Sequence, residues 1–295
     1  KKKSSNKKPK SDTIKLADLS VDKRNLIKRT IESASDIVKY HEKYCAPCAK
    51  ERAFNTSGKV LGYVTPWNSK GYDVAKTFAA KLDLVSPVWL QIKRNGRKRY
   101  ELTGTHDIDS AWMGRVRSAS TNVRFVPRIL FEKLKADDLH ALFNSEEEIE
   151  ALNAMLLRRA NEYKFDGYVL EIYMQLGGNA KSHIAHIVGD LAKALHADGQ
   201  KQLFIVIPPP LASLDSEQRA AAEPLFNRDD FDAIKDVVDG FSLMTYDYAS
   251  HIGRIAANAP LDWIEANVKY FTESPEYLAK ILLGLNFYGM RYSIK

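Results

Sequence analysis

Glu171 is the residue on which chemistry in this chain turns. It sits in Phe165-Asp166-Gly167-Tyr168-Val169-Leu170-Glu171-Ile172-Tyr173, an apolar, β-branched and aromatic run entered through Asp-Gly. Such a run reads as a buried strand. Alternate side chains of a strand share a face, which puts Val169, Glu171 and Tyr173 on one side. A carboxylate there is costly to bury without a partner. Two readings stay open: an acid neutralised by a neighbouring Arg or Tyr, or a site residue at the mouth of a barrel. A Glu171 paired with a buried Arg or Tyr is structural. A Glu171 open to solvent beside Tyr246 favours an enzyme.

The other candidates are thinner. Cys45-Ala46-Pro47-Cys48 holds the only two cysteines. The spacing fits a redox pair, half a zinc site or a local disulfide. With no strand expected before it and no second pair, a structural disulfide or two reduced thiols fits better than thioredoxin-like chemistry. His183 and His186 lie at i, i+3 on an expected helix, without an evident third ligand, so no metal site is assigned. His106-Asp107-Ile108-Asp109 reads as a loop and helix cap. There is no G-x-S-x-G, no phosphate-cradling glycine loop and no G-x-G-x-x-G after the first strand. No cofactor is implied.

The chain has 295 residues, 45% of them hydrophobic, and a net charge of +7. That charge suggests nucleic acid until its location is read. The first ten residues contain six Lys and no acid, leaving about +1 for the remainder. Such a segment is expected to be solvated and disordered, and its chemistry suits polyanions or an acidic membrane surface. No interleaved aromatic stripe supports base stacking, so nucleic acid is not an expected partner. No apolar run approaches the roughly 20 residues of a membrane span, so no transmembrane segment is expected. Asn55-Thr56-Ser57 matches a glycosylation sequon, a weak pointer to secretion.

The elements that must position these residues alternate. Residues 1–57 read as a basic, partly disordered N-terminal segment with one helix over 22–43. From 58 to 295, apolar runs at Lys59–Val64, Leu84–Ile92, Val123–Phe131, Asp166–Tyr173, Leu203–Ile207, Val238–Tyr246 and Ile281–Phe287 read as strands. Helical patterns separate them at 72–81, 109–118, 136–143, 145–163, 181–197, 229–235 and 261–271. Asn95-Gly96 marks a hairpin that folds Arg97–Thr103 back as an insertion. Ser145 followed by Glu148 matches a capping box. Near-continuous apolar strands alternating with helices argue for an α/β fold with a parallel sheet, and the count argues for a TIM-type (β/α)8 barrel. The eighth strand and helix are missing from the pattern. The chain therefore reads as a barrel truncated after strand 7, incomplete at the C-terminus, with unpaired edges on strands one and seven.

In such barrels chemistry sits at the C-terminal strand ends. Those ends carry Tyr63, Trp67, Trp89, Glu132, Glu171, Tyr173, Tyr246, Asp247, Asn286 and Tyr288. Aromatic walls with a few acids and amides suit sugars, whose C–H faces lie on rings and whose hydroxyls meet polar tips. An oligosaccharide or other glycan is the expected ligand.

Four stretches carry a family resemblance. Asp239-Gly240-Phe241-Ser242-Leu243-Met244-Thr245-Tyr246-Asp247 resembles the sixth-strand signature of family 18 glycoside hydrolases, the chitinase family, which ends in Met-x-Tyr-Asp. Leu283-Gly284-Leu285-Asn286-Phe287-Tyr288-Gly289 resembles its seventh strand. Gly62-Tyr63-Val64-Thr65-Pro66-Trp67 is similar to its first. The Glu171 stretch falls where the family carries Asp-Gly-x-Asp-x-Asp-x-Glu. Aligned on that motif, Asp166 and Gly167 are kept, Val169 and Glu171 replace the second and third Asp, and Tyr173 stands at the catalytic Glu.

The resemblance implies a substrate-assisted mechanism, in which the acetamido oxygen attacks and the protein protonates the leaving oxygen. A phenol with an ordinary pKa near ~10 is a poor acid for that step. The family's third-strand Ser-x-Gly-Gly is replaced by Pro127-Arg128-Ile129-Leu130-Phe131-Glu132, and its eighth-strand floor Trp has no counterpart. The expectation is a chitinase-like carbohydrate-binding protein without hydrolase activity and without catalytic residues, in which Tyr246 and Asp247 contact the acetamido group and flanking hydroxyls. Two alternatives are a glycosidase using Glu171, Glu132 or Asp247 as a non-standard acid, and a secreted protein that engages a cell-surface receptor. The resemblance implies a secreted or lysosomal location.

Overall fold

Seven parallel strands follow one another around an incomplete barrel, in the order in which they occur along the chain. The computed structural model describes residues 58–289 except 179, 198, 200 and 215–222, together with 15–17, 35 and 43–45. The expected helix over 22–43 and the sequon lie outside the described residues, apart from helical Ser35 and Lys43, which belongs to a strand and not to the helix. Two short strands not anticipated from the sequence, β1 (Lys15–Ala17) and β2 (Lys43–Cys45), pair in parallel. Cys45 closes β2, so a strand does precede the C-x-x-C, against the expectation.

The barrel begins with β3 (Leu61–Val64), β4 (Leu84–Pro87), β5 (Leu90–Arg94) and β6 (Tyr100–Thr103). It continues with β7 (Arg124–Phe125), β8 (Arg128–Phe131), β9 (Gly167–Leu170), β10 (Gln202–Ile207), β11 (Gly240–Leu243) and β12 (Ile281–Leu283). One sheet runs β3-β4-β7, the other β12-β11-β10-β9-β8-β5-β6. The second and third barrel strands are each split in two. The pair β4 and β5 is interrupted at Val88-Trp89, and the pair β7 and β8 at Val126-Pro127, where proline has no N–H to donate. Among the described strands only β6 runs antiparallel, as the expected hairpin on β5. Among the described residues β12 and β3 do not pair, so the barrel is not closed there.

Among the residues described from 58 onward, ten helices follow from the same alternation. They are α1 (Ser69–Thr77), α2 (Ser110–Ala119), α3 (Ala136–Asn144), α4 (Glu146–Tyr163), α5 (Tyr173–Leu176), α6 (Lys181–Ala197), α7 (Arg228–Ile234), α8 (Tyr248–Ile252), α9 (Leu261–Phe271) and α10 (Pro275–Leu278). Asp109 caps α2, accepting from the Trp112 N–H at 2.7 Å.

Period-2 alternation sorts the strand residues into two cores. Leu84, Val126, Val169, Phe204 and Val206 pack inside the barrel. Tyr168, Leu170, Leu203, Ile205, Phe241 and Leu243 face outward against the helices. The inward position of Val169 is the reference for everything above it on β9.

The expected capping box at Ser145 does not form. Glu148 turns instead into a buried cluster, bonding the Arg94 guanidinium at 2.8 and 3.2 Å, the Tyr100 hydroxyl at 2.8 Å and the Lys98 N–H at 2.9 Å. This carboxylate ties the β5–β6 insertion to α4. A charged partner is worth more to a buried acid than a second helix cap.

Candidate functional site

The fourth strand stops earlier than its sequence suggests, and this rearranges the site. Ladder pairing ends at Leu170, and the Glu171 N–H makes a last bond to the Ile129 carbonyl. Ile172 takes helical dihedrals, φ −118° and ψ −38°, and Tyr173 opens α5. Helical backbone ends the two-residue alternation, so Glu171 and Tyr173 part company. Tyr173 turns out of the barrel and is 0% exposed, its ring 4.5 Å from Phe226 in an edge-on contact. Its hydroxyl has no hydrogen-bond partner among the described residues, and burial pushes the phenol above its ordinary range. Gln175 locks the turn by bonding both backbone groups of Phe131, at 2.9 and 2.7 Å. The expectation that Tyr173 lines the cleft is therefore corrected.

Glu171 points inward and is paired with Arg128 of β8. Both side chains are about one-fifth exposed, at 22% and 21%. The Arg128 Nε is buried and has no partner among the described residues. Near this pair, the Tyr63 hydroxyl donates across the barrel to the Ser242 Oγ at 2.8 Å. Burial raises the Tyr63 phenol, the bond to Ser242 opposes the rise, Tyr246 and Glu171 add to it, and Arg128 opposes it. Tyr246 is raised by burial and then by Asp247. At neutral pH these phenols are hydroxyl donors.

Tyr246, Asp247 and Tyr288 form the next layer. Strand β11 ends at Leu243, short of the expected Tyr246, and Asp247 sits at φ +63°, a left-handed position that turns its carboxylate. The Tyr288 hydroxyl donates to Asp247 Oδ1 at 2.6 Å, and its ring lies 6.4 Å from that of Tyr246. Burial and the Asp247 bond push the Tyr288 phenol up to about 12. Asn286 holds the segment by donating to the Tyr288 carbonyl at 2.7 Å. A Cβ at Gly284 would lie 2.7 Å from the Tyr246 ring, so that ring rests on bare backbone.

Trp67, in the turn after β3, is 77% exposed. Glu132 follows β8 and accepts from the Thr103 hydroxyl at 3.2 Å. Trp89 does not reach the mouth: it is 1% exposed, bonds the Tyr72 hydroxyl at 2.7 Å and packs on Trp112. The break after β4 puts Trp89 and Leu90 in the same outer core, so simple alternation fails there. The strand-end expectation for Trp89 is corrected. Asp166 lies at the opposite, N-terminal end of β9. It accepts from the Phe125 N–H at 2.6 Å and the Arg117 guanidinium at 2.8 Å. Sequence reasoning also passed over Arg128 and Ser242. The signal for Arg128 was an arginine on the strand beside the one carrying the carboxylate.

The model of the glycosyl hydrolases family 18 matches residues 130–295, more than half of the chain. The chain belongs to that family. Its fold is similar to that of a chitinase from Chromobacterium violaceum, at 20% identity and a TM-score of 0.60, covering 77% of this chain and 68% of that one. It is similar to the spore cortex-lytic enzyme SleL of Bacillus megaterium, at 18% identity and a TM-score of 0.59, covering 78% of this chain. The chain spans about half the length of that enzyme, 51%. A family 18 chitinase from Cycas revoluta, solved with (GlcNAc)3, matches at 14% identity and a TM-score of 0.58, covering 77% of this chain and 68% of that one. Against the family 18 motif, Asp166 and Gly167 serve the strand's entry, Val169 fills the barrel, Glu171 is held by Arg128, and Tyr173 has left the cleft.

Proposed function

We infer that this protein is a chitinase-like carbohydrate-binding protein that does not hydrolyse its ligand. The observation that carries this reading is the outward turn at Ile172, which takes the residue at the family's acid position into the core. No phenol at the mouth is a competent proton donor at pH 7, and Glu171 is already engaged by Arg128. Tyr63, Trp67, Tyr246, Asp247, Asn286 and Tyr288 supply the rings and polar tips that a sugar needs, and the chito-oligosaccharide in the Cycas enzyme suggests its class. A secretory or lysosomal location and a cell-surface receptor accompany this reading as proposals from the resemblance.

Calorimetric titration of the folded chain with chito-oligosaccharides tests it. Saturable heat that is weakened in Trp67→Ala supports binding at the mouth, and absence of heat sinks the reading. Release of a fluorogenic aglycone, abolished by Glu171→Gln, would establish a glycosidase with a non-standard acid instead.

A further inference from the structure

The geometry points to a divalent transition-metal site on the outer face of the barrel, built by Glu146, His186 and Asp190. These residues come from two helices. Glu146 opens α4, while His186 and Asp190 stand one turn apart on α6. The His186 Nε2 lies 2.8 Å from Glu146 Oε1 and 3.6 Å from Asp190 Oδ2. One donor atom from each residue falls within 4.8 Å of the others. Zinc bonds of about 2.0–2.2 Å to nitrogen and oxygen separate tetrahedral donors by about 3.4 Å, so exposed side chains need only small rotations to close on one ion.

Two features suit this cluster to a metal. Lys193 holds Asp190 through Oδ1 at 3.0 Å, which leaves Oδ2 turned toward His186. The charge also closes, since two carboxylates and a neutral imidazole balance a dication. The N-terminus of α4 works against this with about half a positive charge. Two full negative charges among the ligands outweigh it. His183, which shares this helix, is not a ligand: its ring lies 5.0 Å from that of Phe143. The i, i+3 histidine pair seen in the sequence therefore does not converge, and the ligands are brought together by the packing of α4 against α6.

Zinc is the first probe, added to the full chain and followed by calorimetry. The expected result is saturable one-to-one binding that His186→Ala weakens by about tenfold or more. His183→Ala and a Cys45→Ser/Cys48→Ser double variant should bind as the unmodified chain does. Zinc should raise the melting temperature of the unmodified chain and not that of His186→Ala. Equal zinc binding by His186→Ala, loss of binding in the cysteine variant, or no binding at all would overturn the assignment. Circular dichroism of each variant separates loss of a ligand from loss of fold.

Discussion

Glu171 and Tyr173 are two residues apart, and the single helical residue between them decides what each can do. On an uninterrupted strand both would face the mouth, and Tyr173 would be a misplaced acid. With Ile172 helical, only Glu171 remains inside, and Arg128 holds it. Trp67 and Trp89 make a second contrast, exposed at the rim and buried under the sheet. Trp67→Ala should weaken oligosaccharide binding about tenfold in calorimetry with an unchanged melting temperature, as expected when one stacking ring worth ~1.4 kcal/mol is lost. Trp89→Ala should behave in the opposite way. It should cost about 3–5 kcal/mol in urea unfolding, because it empties a core position and leaves the Tyr72 hydroxyl unpaired.

The elements show what was legible in the sequence and what was not. Continuous apolar runs of the strands and the 3.6-residue pattern of α6 and α9 placed those elements closely, because burial on both faces leaves a strong compositional trace. Strand ends were drawn too long at β9, β11 and β12, since an apolar residue leaving a ladder reads like one inside it. The same weakness misplaced Tyr173, while the break between β4 and β5 misplaced Trp89. Long-range pairs were hidden for another reason. Tyr63 and Ser242 are 179 residues apart, and no local pattern announces their bond. Gly167 was legible as a turn, yet its reason is tertiary: at φ +140°, a Cβ would stand 1.9 Å from the Gln202 carbonyl oxygen. Gly167→Ala should therefore destabilise the fold by roughly 2 kcal/mol or more, read from the urea midpoint.

Glu148, read from the sequence as a cap partner, supplies the pH prediction at this scale. Arg94 bonding, opposed by burial, holds its carboxyl down at about 2 against an ordinary 4.5. A depressed carboxyl stabilises the fold above its unfolded pKa, and that contribution fades as pH falls from 4.5 toward 2. Glu148→Gln should lose about 2–4 kcal/mol near pH 7, because it leaves Arg94 without its main buried partner. The gap to the unmodified chain should narrow steadily below pH 4.5 in urea unfolding. A constant gap would mean that the Arg94–Glu148 pair contributes packing and not charge.

At the scale of the whole molecule, charge separates two surfaces. Among the described residues the mouth carries the acids Glu132, Glu171 and Asp247 beside the guanidinium of Arg128, a balance that disfavours a polyanion there. The first ten residues carry six lysines and no acid, and the rest of the chain has a net charge of only about +1. A polyanion or acidic membrane surface should therefore be met by the lysine run, and a neutral sugar by the aromatic mouth. Deleting residues 1–10 should abolish binding to vesicles rich in anionic lipid, which in the intact chain weakens as added salt shortens the screening length. The same deletion should leave the calorimetric titration with chito-oligosaccharides unchanged. Trp67→Ala should do the reverse, weakening the sugar and sparing the vesicles. If the deletion weakens sugar binding as well, the lysine run contributes to the mouth and the two surfaces are one.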